Sequence, residues 1–131
     1  MEFQVECFEN VDVLTVRDAK VPFLANAYDP EQDMTSATNG FMYAPLRRVM
    51  NLRVEAERAE YAADVAFEIA NAPWQPHDLD GVMWDHERIR SMSSGDVVLV
   101  HTPDGPVAYG CLFMGWLRLE RLPHGIVAAL A

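Results

Sequence analysis

The sequence predicts an α+β fold: a single small domain over residues 1–131, with a short, mainly antiparallel sheet, one main amphipathic helix and a C-terminal β-hairpin. Three observations lead there. Residues 3–8 alternate apolar and polar side chains, residues 57–71 repeat apolar side chains at the helical period, and residues 96–114 set two strand-like runs around a turn.

Phe3, Val5 and Cys7 alternate with Gln4 and Glu6, and Val11, Val13 and Thr15 continue the pattern after Glu9-Asn10, which predicts a strand pair with a corner there. The run from Asp29 to Gly40 is rich in turn formers and is expected to be an exposed loop. Residues 46–54 suit strand or helix; the alternation of Met50, Leu52 and Val54 favours a strand. At 100° per residue, Ala59, Ala62, Ala63, Ala66, Phe67, Ile69 and Ala70 share one helix face. Asn71 ends that helix, because Ala72 precedes Pro73 and a residue before proline disfavours the helical region. Residues 74–88 are expected to be an irregular connection anchored by Trp74 and Trp84. Asp96 to His101 is a strand, Thr102-Pro103-Asp104-Gly105 a tight turn, residues 106–114 the returning strand, and Leu117 to Leu122 one further short strand.

Charge narrows the function classes. Twenty acids face ten bases, for a formal net charge of −10, which repels phosphate backbones and anionic lipid at long range. Direct nucleic-acid binding is not expected. The excess is −6 in residues 1–45, −4 in residues 46–89 and zero thereafter, so it belongs to the first two-thirds of the chain. The N-terminal residues lack the basic and apolar regions of a signal peptide, and no apolar run approaches the roughly 20 residues of a membrane span. A cytoplasmic location follows as the expectation, with Cys7 and Cys111 as buried free thiols.

No residue pattern singles out a catalytic site, a metal site or a cofactor. His77, His86, His101 and His124 stand among carboxylates without the i, i+4 register or paired CxxC arms of zinc sites. The serines Ser91, Ser93 and Ser94 have no nucleophile elbow around them, and the glycines are too sparse for a phosphate cradle. The most distinctive run is Arg90-Ser91-Met92-Ser93-Ser94-Gly95-Asp96-Val97-Val98. Its short polar side chains suit a structural turn, Gly95 supplies positive φ, and Asp96 opens a strand of buried valines. A second reading makes Arg90 a partner or ligand contact.

This run, preceded by Phe67-Glu68-Ile69-Ala70-Asn71 and followed by Gly115-Trp116, resembles small proteins of phages, plasmids and GC-rich Gram-positive bacteria related to the YodL-like domain. The resemblance spans about residues 60–120. Ala70 stands where that family has Thr, and Ser94 where it has Val. The resemblance implies that Asn71, Ser91, Ser93, Gly95, Asp96 and Trp116 are motif positions. It also implies a mobile-element setting with an accessory or counter-defence role, and it supplies no catalytic residues.

Two function classes stay open. In the first, a non-enzymatic accessory protein of a phage or mobile element binds a basic host or defence protein in the bacterial cytoplasm, in the extreme case as a DNA mimic. Its contacts are Glu57, Glu60, Asp64, Glu68 and Arg90, the four acids falling within about 80° of one another opposite the alanine face. Those acids span about 16 Å, one per roughly 5 Å, against one charge per ~1.7 Å on duplex DNA, so other acids must join them for mimicry. In the second, a small ligand-binding module or enzyme has a pocket near Arg90 and the tryptophans.

Overall fold

A computed structural model describes residues 1–11, 40–71, 92, 95–112 and 115–131, and the backbone of 82–84. In chain order the elements are β1 (Glu2–Asn10), β2 (Leu46–Glu55), α1 (Ala59–Ala70), β3 (Val82–Trp84), β4 (Val97–Thr102), β5 (Gly105–Cys111), β6 (Trp116–Leu119) and α2 (His124–Leu130). The six strands form one antiparallel sheet in the order β3-β2-β1-β4-β5-β6, so the α+β reading holds. No described helix is long and apolar enough to cross a membrane.

Strand alternation divides the core in two. Phe3, Val5 and Cys7 of β1, Leu52 and Val54 of β2 and Val98 and Val100 of β4 face α1, whose Ala62, Ala63, Ala66 and Ala70 are buried against them. Small side chains let the helix lie close to the sheet. On the opposite face Phe8, Val97, Leu99, Ala108 and Leu119 pack under a helical turn at residues 40–43 and under Ile126 of α2. Between Cys7 and Phe8 the β1–β2 register slips, with Cys7 opposite Met50 and Phe8 opposite Arg48. The extra residue, Val49, joins Met50 on the α1 side, as a β-bulge allows.

Several expectations are revised. Glu9 and Asn10 make no corner: both lie inside β1, whose partners are β2 and β4. The strand continues through Asn10, whose N–H donates to Asp96 Oδ1 at 2.9 Å. Residues 12–15 and residues 29–39 of the expected loop lie outside the described residues, while Gly40, expected to end that loop, opens the helical turn at 40–43. The connection expected at 74–88 contains β3, an edge strand too short to display alternation. The last strand stops at Leu119, and α2 follows, which the sequence reading did not foresee.

Cys7 and Cys111 are both buried and free. Burial, then the negative charges of Asp96, Glu6 and Glu9, pushes the Cys7 thiol far above its ordinary range, so it is held protonated and unreactive. Gly110 sets the closest approach in the second core: a Cβ there would stand 2.7 Å from the Phe41 ring. Gly110→Ala is therefore expected to cost about 1–3 kcal/mol, read as a lower denaturation midpoint. An unchanged midpoint would show that the Phe41 ring is free to move aside.

Candidate functional site

The solvent face of α1 carries Glu60, Tyr61, Asp64, Val65 and Glu68, all exposed. Glu57 is also exposed but sits in the bend before the helix, because Arg58 takes the N-cap position with extended backbone. Three of the four acids of the stripe thus share the helix and the fourth leads into it. Arg58 is engaged by Tyr61: its guanidinium lies 4.5 Å from the Tyr61 ring centroid, and Nη2 donates to the Tyr61 hydroxyl at 2.6 Å. No ion pair among the described residues involves Glu57, Glu60, Asp64 or Glu68. Asp64 does have a partner, since the Trp116 indole Nε1–H donates to its Oδ1 at 2.6 Å.

Trp116 is a strut between α1 and the sheet. Its ring meets Phe67 edge-on at 5.6 Å and Tyr109 at 6.4 Å, and its one polar group is used on Asp64. Arg90, Ser91, Ser93 and Trp74 lie outside the described residues, as do His77 and His86, and Trp84 is described only in its backbone.

The remaining motif positions tie elements together. Asn71, just past the end of α1, brackets Met92: Nδ2 donates to the Met92 carbonyl at 3.2 Å and Oδ1 accepts from the Met92 N–H at 2.7 Å. Gly95, at φ 96°, turns its N–H onto the Cys111 carbonyl at 2.9 Å. The Cys111 N–H returns to the Asp96 carbonyl at 2.8 Å, closing the β4–β5 ladder. Asp96 is fully buried, and its carboxylate extends the β1–β4 seam through the Asn10 N–H. Asn71, Gly95 and Asp96 thus couple the helix end, the turn and two strands. Their distinctiveness in the sequence reflects architecture.

A cluster absent from the sequence reading lies on the sheet face opposite α1. Glu6, with only 7% of its side chain exposed, receives Arg48 Nη1 of β2 on Oε1 and His101 Nε2 of β4 on Oε2, each at 2.6 Å. Burial pushes the Glu6 pKa up, but hydrogen bonds and charge from His101 and Arg48 outweigh it and hold the carboxyl below its ordinary 4.5. Nothing in the linear sequence marks this group, because its members are 42 and 95 residues apart. Strand pairing alone assembles it.

An open cleft of about 500 Å³ is lined by Pro106, Val107, Arg118, Leu119 and Glu120. It holds no nucleophile and base within reach of each other. Among the described residues, no group of three or more His, Cys, Asp or Glu side chains is arranged to hold a metal ion. Compared with known proteins, the chain matches no family model, no curated protein and no solved structure.

Proposed function

We propose that this chain is a non-enzymatic accessory protein that binds a basic surface of a host or defence protein through the acidic face of α1. The carrying observation is that Glu60, Asp64 and Glu68 line the exposed side of one helix, with Glu57 beside its start, and that none of the four forms an ion pair among the described residues. Such unneutralised carboxylates favour a cationic partner and steer its approach. Tyr61 and Val65, 43% and 36% exposed, sit between the acids and add an apolar contact of the kind that anchors interfaces. The phage or mobile-element setting and the counter-defence role rest on the YodL-like resemblance. At about one charge per 5 Å the helix is too sparse to imitate duplex DNA by itself, so the reading is a protein contact.

Replacing Glu57, Glu60, Asp64 and Glu68 by Lys is expected to abolish partner capture from a host lysate. Circular dichroism should stay near wild type, since none of the four is buried against the sheet, while the melting temperature should fall slightly with the loss of the Trp116–Asp64 hydrogen bond. A triple variant that keeps Asp64 should also lose capture, which separates the charge effect from loss of the Trp116 hydrogen bond. Wild-type capture should weaken steeply between ~50 and ~500 mM salt, as the screening length falls to about 4 Å. Retention of every captured partner by both variants would reduce the stripe to a solvated surface.

A further inference from the structure

We propose that a second copy of this chain docks on the outer edge of β6, joining two six-stranded sheets into one across a two-fold axis at Leu117. Hydrogen-bond alternation leaves that edge open. The Cys111 N–H donates to the Asp96 carbonyl and the Cys111 carbonyl accepts the Gly95 N–H, so the backbone groups of Cys111 point to the β4 side. Gly110 and Ala108 therefore point to the β6 side, where they meet Leu117 and Leu119. Trp116 and Arg118 in turn direct their N–H and C=O groups away from β5, and no described strand takes them up. The flank of β5 beyond Leu119 is closed in another way: Pro106, next in the outward series, has no N–H to offer a further strand.

Charge and register single out a copy of this chain as the occupant. An antiparallel pairing matches outward-facing residues with outward-facing residues, which leaves few registers. Centring on Arg118 sets it against its own twin, two like charges together, and centring on Trp116 leaves most of β6 beyond its partner. The register centred on Leu117 does neither. It pairs Trp116 of each copy with Arg118 of the other, two hydrogen bonds being exchanged at each pair, and sets Leu117 beside its twin. Trp116 and Arg118 lie on the α1 side, since Trp116 meets Phe67 and Arg118 stands opposite Tyr109. Arg118 is exposed and forms no ion pair among the described residues. In the pair its guanidinium comes over the indole of the other copy, next to the Asp64 carboxylate that accepts the indole N–H. Leu117, half-buried at the margin of the second core, covers its twin on the opposite face. Each chain thus offers a cation where the other offers an acid, the self-complementarity that a two-fold interface requires. β6 itself belongs to residues 90–131, whose formal charge sums to zero, so two chains of −10 meet on the strand where repulsion is least.

Sedimentation equilibrium of the intact chain between about 10 µM and about 1 mM reads the pairing by mass action. The wild type should pass from the mass of one chain to that of two across this range, because a strand of four residues makes a small interface. Arg118→Pro removes an outward N–H without touching the β5–β6 ladder and should abolish the two-chain species. Arg118→Glu sets a carboxylate against Asp64 of the other copy and should raise the dissociation constant at least about tenfold. Mild oxidation of Leu117→Cys should link two chains through a disulfide, since the twin side chains adjoin, whereas Arg118→Cys, which faces Trp116, should link few; Cys7 and Cys111 are buried and do not compete. The glutamate variant and the cross-link carry the test should Arg118→Pro fail to fold. A wild type with the mass of one chain at about 1 mM, association that survives Arg118→Glu, or better linking through Arg118→Cys than through Leu117→Cys would overturn the proposal. None of these variants alters the four acids at α1, so partner capture remains a separate measurement.

Discussion

Phe8→Ala is expected to lower the stability of the protein by about 3–5 kcal/mol, the range for deleting a phenyl ring from a packed core. Phe8 of β1 is fully buried in one cluster with Phe41, Val97, Leu99, Ala108, Leu119 and Ile126, which come from the turn at 40–43, β4, β5, β6 and α2. The second core also lacks the support of α1, so the cavity must be closed by a turn and a seven-residue helix. Chemical denaturation should report the loss as a lower midpoint at an unchanged slope. A loss below about 1 kcal/mol would mean that the face opposite α1 collapses onto the space without difficulty, and that its packing is not specific.

What could be read in advance divides along physical lines. α1 was visible because its alanines recur on one face and its acids on the other, and local periodicity is all a helix needs to declare itself. The β4–β5 hairpin was visible because Thr102 and Gly105 bracket a short turn; the Thr102 hydroxyl indeed donates to the Gly105 carbonyl at 2.6 Å. α2 was hidden: Gly125, Ile126 and Val127 are weak helix formers, and the segment is helical because Ile126 is drawn into the second core. The continuation of β1 through Glu9 and Asn10 was hidden for a related reason, since two polar residues in a row suggest a corner unless their partners elsewhere in the chain are known. Of the sites, the acidic face of α1 follows from helical spacing alone, whereas the cluster of Glu6, Arg48 and His101 requires the pairing of three strands.

The distinctive Arg90–Val98 run gains a physical account in its described part. Met92 is held by Asn71, Gly95 by Cys111, and Asp96 by Asn10, so the segment is tied successively to the end of α1, to the end of β5 and to β1. A sequence that must satisfy three such contacts within five residues has little freedom to vary. The local pattern therefore argues for architecture at these three positions, and the search for partner contacts belongs on the exposed face of α1.

Gly95→Val carries the second large effect. Gly95 has φ 96°, well beyond the +50 to +70° that non-glycine residues occupy in the left-handed region, and valine is among the residues least able to enter it. The strain is about 1–3 kcal/mol for the backbone alone. Relieving it by rotating φ would pull the Gly95 N–H off the Cys111 carbonyl and disturb the Asp96–Cys111 bond that closes the β4–β5 ladder. Asp96 would shift with it, exposing the Asn10 N–H that its carboxylate satisfies. The expected sum is about 3 kcal/mol or more, a fall in melting temperature of roughly 10 °C for a chain of this size. Gly95→Asn, which tolerates positive φ better, should fall between wild type and the valine variant. A melting temperature for Gly95→Val equal to that of wild type would show that the chain does not need left-handed backbone at this turn.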